Sequence, residues 1–72
     1  MTLTKGQVLI YLYVCLKKGL LINKKQTMKR FKLTEITLKR YVGELRDYFA
    51  VYEPNFKIKY GRKSSSYFLA QE

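Results

Sequence analysis

Lys39 and Arg40 lie side by side in the run LTEITLKRYVGELRDY, residues 33–48. On a helical wheel Arg40 shares a face with Ile36, Gly43 and Asp47, flanked by Thr37 and Lys39, and the N-terminal half of that face carries cations and no acid. Side chains of this kind recognise rather than make or break bonds. A guanidinium fork matches the paired acceptors of guanine or a phosphate, an ammonium meets a phosphate, and an apolar side chain meets the methyl of thymine. The spacing therefore predicts Arg40 and Lys39 on guanine edges or phosphate and Ile36 on a thymine methyl. Gly43 costs a helix about 1 kcal/mol relative to alanine, and either allows close backbone approach to a ligand or is simply tolerated. The competing reading of the same wheel is an ordinary amphipathic helix with a solvated face.

The flanking cations extend the pattern. From Asn23 to Gly43 there are seven cations and one acid, Glu35, which stands where a helix N-terminus favours an anion. Lys24, Lys25 and Lys29 read as phosphate contacts from a short helix, or as a solvated basic face. Arg62 and Lys63, in GRKSSS, read as backbone or minor-groove contacts from a hairpin tip, or as part of a flexible serine-rich loop. The whole chain carries fifteen lysines and arginines against five acids, a net +10 over 72 residues. That excess seeks a polyanion, and it also serves solubility. A membrane surface competes with nucleic acid, but the cations are spread over several elements rather than concentrated on one amphipathic helix.

Other chemistries find little to work with. There is no histidine, no phosphate-cradling glycine loop and no metal-ligand cluster, and the acids are scattered. An enzyme is not expected, nor a metal, cofactor or small-molecule ligand. One cysteine excludes an intrachain disulfide, and Cys15 inside an apolar run reads as a small core residue. A lone cysteine with no secretory signal fits a reducing cytoplasm, on the nucleoid. No apolar stretch approaches the ~20 residues of a membrane span.

The elements that must position these side chains follow from caps and periodicity. Thr34 is an N-cap, Leu33 staples onto Leu38, and Leu38, Val42, Leu45 and Phe49 form one apolar stripe, which predicts a third helix over about 35–48. The first helix, about 5–18, opens on Leu3, Thr4, Gln7 and Val8 as staple and capping box and stops at Gly19. Its VLIYLYVCL, residues 8–16, has no polar face, so it is either packed from both sides or meets a second subunit. The second helix, about 24–31, is capped by Asn23 with Gln26 three residues on, and turns Thr27, Met28 and Phe31 inward. Beyond Phe49, Ala50–Glu53 reads as a short strand before the Pro54–Asn55 turn. FKIKY alternates with Phe56, Ile58 and Tyr60 on one side, and YFLA closes a hairpin over about 56–70 with Tyr67 and Leu69 inward. One mainly α domain with a β-hairpin, a three-helix winged helix-turn-helix spanning 1–72, is the architecture expected.

The run INKKQTMKRFKLTEITLKRYVGEL, residues 22–45, together with the tail GRKSSSYFL, resembles the winged helix-turn-helix of DeoR-type and WYL-domain bacterial transcription regulators. The resemblance covers about two thirds of the chain. It implies Thr34, Thr37, Lys39 and Arg40 as DNA-facing positions, with Leu38, Val42 and Leu45 in the core. The chain departs from that family in having Lys32 where the turn usually has glycine, Tyr41 where an acid usually follows the arginine, and Gly43 within the helix. Lys32 must then adopt a left-handed conformation, or the turn takes another shape. Family members usually carry an effector domain after the wing; the sequence in hand ends at Glu72 and is read as acting without one, or as the DNA-binding part of a longer regulator.

Double-stranded DNA is the expected partner, in a sequence-specific transcriptional regulator. About six phosphate contacts would give a log affinity against log salt slope near −5. Two alternatives stay open: an architectural or excisionase-like protein with little base preference, and a winged-helix protein-interaction module. A homodimer through the first helix is a further expectation. The size and the lysine and tyrosine content also fit a phage or mobile-element protein.

Overall fold

The computed structural model describes residues 4–71; the Leu3 half of the predicted staple lies outside them. Helix α1 spans Lys5–Lys17. Thr4 Oγ1 accepts from the Gln7 amide at 3.2 Å and Gln7 Oε1 accepts from the Thr4 amide at 2.9 Å, closing the capping box. The helix unwinds at Gly19, φ 80°, where the Gly19 and Leu20 amides return to Leu16 and Cys15 carbonyls.

Helix α2 runs Lys24–Phe31. Asn23 Oδ1 accepts from the Gln26 amide at 2.9 Å as the cap requires, with no return bond from the Gln26 side chain. Asn23 also pairs as a strand residue: with Ile22 it makes β1, a two-residue element that no periodicity announces. Lys32 ends α2 in the left-handed region, φ 54° and ψ 46°. The departure from glycine at this turn is thus met by straining a lysine and keeping the turn.

Helix α3 spans Glu35–Tyr52, about a turn longer than the caps and stripe alone suggested. The expected strand over Ala50–Glu53 does not form. Nothing between Phe49 and Glu53 breaks a helix. The first forbidding residue is Pro54, which excludes the helical conformation from the residue before it, and Glu53 accordingly sits at φ −138°, ψ 65°. Strands β2, Phe56–Gly61, and β3, Ser66–Gln71, form the hairpin, and β1 pairs antiparallel with β3, giving the order β1-β3-β2. Opposed pairs include Ile22 with Tyr67, Ile58 with Leu69 and Tyr60 with Tyr67. The protein is therefore a mixed α+β domain of three helices and a three-stranded antiparallel sheet, and no helix is long and apolar enough to cross a membrane among the described residues.

Val8, Leu12 and Leu16 of α1 meet Leu38, Val42, Leu45 and Phe49 of α3, with Ile22, Ile58 and Tyr67 from the sheet closing the core. Tyr11 packs edge-on against Phe31 of α2 and Tyr13 stacks on Phe49 of α3, so α1 touches both other helices. Coverage of α1 is incomplete: Ile10 and Val14 stay exposed, and Cys15 is half-buried against the core rather than within it.

Candidate functional site

Helix α3 projects its expected recognition side chains outward. Ile36, Lys39 and Arg40 are exposed, while Thr37 and Gly43 are half-buried. Thr34 and Thr37 are occupied at the helix start. Thr34 Oγ1 accepts from the Thr37 amide at 3.2 Å and donates to Thr37 Oγ1 at 2.9 Å, so Thr34 positions the helix first. The face divides along its length. Arg40, Thr37 and Gly43 border a recess of about 660 Å³ shared with Lys5, Tyr41, Glu44 and Asp47, and Lys5 closes on Glu44 at 3.0 Å.

On the other side, facing the hairpin, lies a cleft of about 410 Å³ lined by Lys24, Lys39, Arg46, Tyr60, Arg62 and Tyr67. Three separate stretches build it. Lys24 comes from the first turn of α2, Lys39 and Arg46 from α3, and the remainder from the hairpin. Lys39 and Arg46 are seven residues apart, two helical turns, and so stand on one side. The Tyr60 and Tyr67 rings pair across the strands at 4.9 Å.

The hairpin is held against α2. The Lys24 amide donates to the Ser65 carbonyl at 2.8 Å, and Asn23 Nδ2 donates to the Ser64 carbonyl at 3.2 Å. Ser66 is buried and its hydroxyl donates to the Ser64 carbonyl at 2.9 Å. The serine-rich tip is thus fastened to the helical layer, and Arg62 is held at the cleft while Lys63 lies outside it.

One carboxylate dominates the electrostatics here. Glu35 Oε1 accepts from Lys24 Nζ at 2.5 Å and lies 3.5 Å from Lys39 Nζ. The Lys24 ammonium beside it, helped by Lys39, holds the Glu35 carboxyl below its usual range, and the same pair raises the Lys24 ammonium. Among the described residues Arg40, Arg46, Arg62 and Lys63 enter no ion pair.

Several expectations need correcting. Lys24 does not extend into solvent; its side chain is only 23% exposed and folds onto Glu35. Lys25 and Lys29, by contrast, are exposed on α2 as expected, and they lie outside the cleft. Tyr60 is not inward like Phe56 and Ile58, because the tip of β2 runs past the edge of the core, and its ring borders the cleft instead. Sequence reading missed Arg46; its seven-residue spacing from Lys39 was the available signal. No group of three or more potential metal ligands gathers among the described residues. The chain matches no protein-family model, and comparison with curated proteins and with solved structures finds no match.

Proposed function

We propose that this chain is a winged-helix, sequence-specific double-stranded DNA-binding regulator, with the first two turns of α3 in the major groove and the hairpin tip on the backbone. The observation that carries this reading is the convergence of Lys24, Lys39, Arg46 and Arg62 from three stretches of chain around one cleft, with Ile36 and Arg40 exposed on the same helix α3. Four like charges crowded into one recess oppose each other in the free protein, and one carboxylate only partly relieves them. A polyanion relieves them fully, which favours phosphate as the occupant. Arg40 and Ile36 then fall where base edges are read, and Lys25, Lys29 and Lys63 add phosphate contacts from the periphery.

Selection of duplexes from a random DNA library by the purified chain at physiological salt tests this. An enriched motif supports it, and Lys39→Ala/Arg40→Ala should abolish the enrichment. A pool that stays random after selection by the wild type removes base readout and leaves an architectural, sequence-indifferent DNA protein. A second reading, pairing of two copies through α1, is favoured by a different surface. Ile10 and Val14 of α1 and Tyr48, Val51 and Tyr52 of α3 are exposed, and Leu9, Ile10, Tyr13, Leu45 and Tyr48 border an apolar groove of about 320 Å³.

A further inference from the structure

Glu35 and the cleft cations are organised in a way that DNA binding alone does not require. The carboxylate sits in the first turn of α3, a favourable place for an anion. Its Oε1 nevertheless takes Lys24 from α2 and Lys39 from the next turn of its own helix together. Both lysines line the cleft; Glu35 does not. Half of the cleft's cations are therefore turned onto an internal anion, while Arg46 and Arg62 have no such partner among the described residues. Tyr60 adds a phenol at the same recess, a neutral donor suited to a phosphate oxygen.

We propose that this cleft is a phosphodiester-binding site in which Glu35 stands in for the ligand. In the free protein Glu35 neutralises Lys24 and Lys39; a backbone phosphate of duplex DNA entering between α3 and the hairpin displaces it and is held by those lysines with Arg46 and Arg62. Resting on the DNA-binding reading, this adds two residues to it with opposite signs. Arg46 contributes a phosphate contact, and Glu35 competes against one. The incoming phosphate must first break the Glu35 pairs, so binding strength carries a penalty set by a single side chain.

The test is binding of a fluorescently labelled random-sequence duplex by anisotropy between about 50 and 200 mM salt, a range over which phosphate contacts separate clearly. Arg46→Gln should weaken binding and make the salt slope shallower by about one, and Arg62→Gln should do the same. Glu35→Gln should tighten binding and steepen the slope by about one. Two controls carry the same charge changes elsewhere: Lys57→Gln, opposite Ala70 at the end of the hairpin away from Arg62, and Glu53→Gln, past the far end of α3. Each variant's melting temperature is read first, and Lys24→Gln, expected to weaken binding, serves if Glu35→Gln does not fold. Arg46→Gln matching Lys57→Gln, or Glu35→Gln binding no tighter than Glu53→Gln, overturns the assignment while leaving DNA binding intact. Absence of duplex binding by the wild type at any salt overturns the DNA reading itself, and this inference with it.

Discussion

The Tyr13 hydroxyl donates to Glu53 Oε2 at 2.7 Å while Lys17 Nζ donates to Oε1 of the same carboxylate at 2.6 Å, so α1 grips α3 at the residue where α3 ends. Lys17 also lies over the Phe56 ring at 4.1 Å, which ties the start of the hairpin to the same point. The bond to Glu53, aided by burial, pushes the Tyr13 phenol up to about 12 from its usual 10.0. Between those two values the folded chain keeps a proton that the unfolded chain has lost. The contribution of Tyr13 to stability is thus complete below pH 10 and disappears as pH rises through about 12. Absorbance titration should show a phenol ionising near 12, and Tyr13→Phe should lack that step. A wild type whose titration near 12 is the same as that of Tyr13→Phe would show that the bond is not kept in solution. Glu53 and Glu35 act in the opposite sense: held low by Lys17 and by Lys24 respectively, they stabilise above the ordinary carboxylate range and lose that effect as pH falls below it.

Lys32 occupies the left-handed region at the turn between α2 and α3, where a side chain costs about 1–2 kcal/mol. Lys32→Gly should remove that strain, with part of the gain offset by the greater freedom of glycine in the unfolded chain. A net stabilisation of about 0.5–1 kcal/mol is expected, visible as a higher denaturation midpoint. A lower midpoint would show that the aliphatic part of Lys32 packs usefully.

Much of this arrangement could be read from local chemistry. Thr4, Asn23 and Thr34 each accept from the amide three residues on in a helix's first turn, and Leu38, Val42, Leu45 and Phe49 are all buried. What could not be read locally depends on distant partners. Ile22 and Asn23 become a strand only because Tyr67 and Ser66 lie beside them, and two residues have no period. Ala50, Val51 and Tyr52 have strand-like side chains, yet an unbroken helix continues through them until Pro54 intervenes. Arg46 and Tyr60 meet only because the hairpin folds against the flank of α3, a placement that neither segment's own pattern encodes.

Leu12 and Ile10 are two residues apart on α1 and opposite in environment, at 0% and 65% exposure. Leu12→Ala should cost about 2–5 kcal/mol through lost burial and a residual cavity. A 72-residue chain has only roughly 4–11 kcal/mol in total, so the variant should melt well below the wild type. Ile10→Glu should move the melting temperature of the monomer very little. If α1 joins two copies, sedimentation of the wild type should report a dimer whose formation strengthens with salt, since each copy carries +10, and Ile10→Glu should remove it. A wild type that sediments as a monomer at every concentration rules that pairing out.

At the hairpin tip, Arg62→Gln/Lys63→Gln should weaken duplex binding by a similar factor for every sequence and make the salt slope shallower by about two, since phosphate contacts position without specifying. The enriched motif from library selection should be unchanged. A changed motif would mean that the tip reads bases in the minor groove.

Gly43 offers a test that reads folding and binding separately. A Cβ built there meets nothing within 4 Å, so neither the core nor a neighbouring element demands glycine. Its backbone is helical, so alanine should stabilise the chain by about 0.8–1.0 kcal/mol through helix propensity alone. Glycine thus stands at a cost to folding on the same recess as Arg40 and Thr37. If DNA backbone or base edges approach α3 closely at this point, Gly43→Ala should raise the melting temperature while weakening binding to the selected motif, because the added methyl holds the helix off the groove. A variant that melts higher and binds as well as the wild type would show that Gly43 is merely tolerated and that the close approach lies nearer the N-terminus of α3, at Ile36 and Arg40.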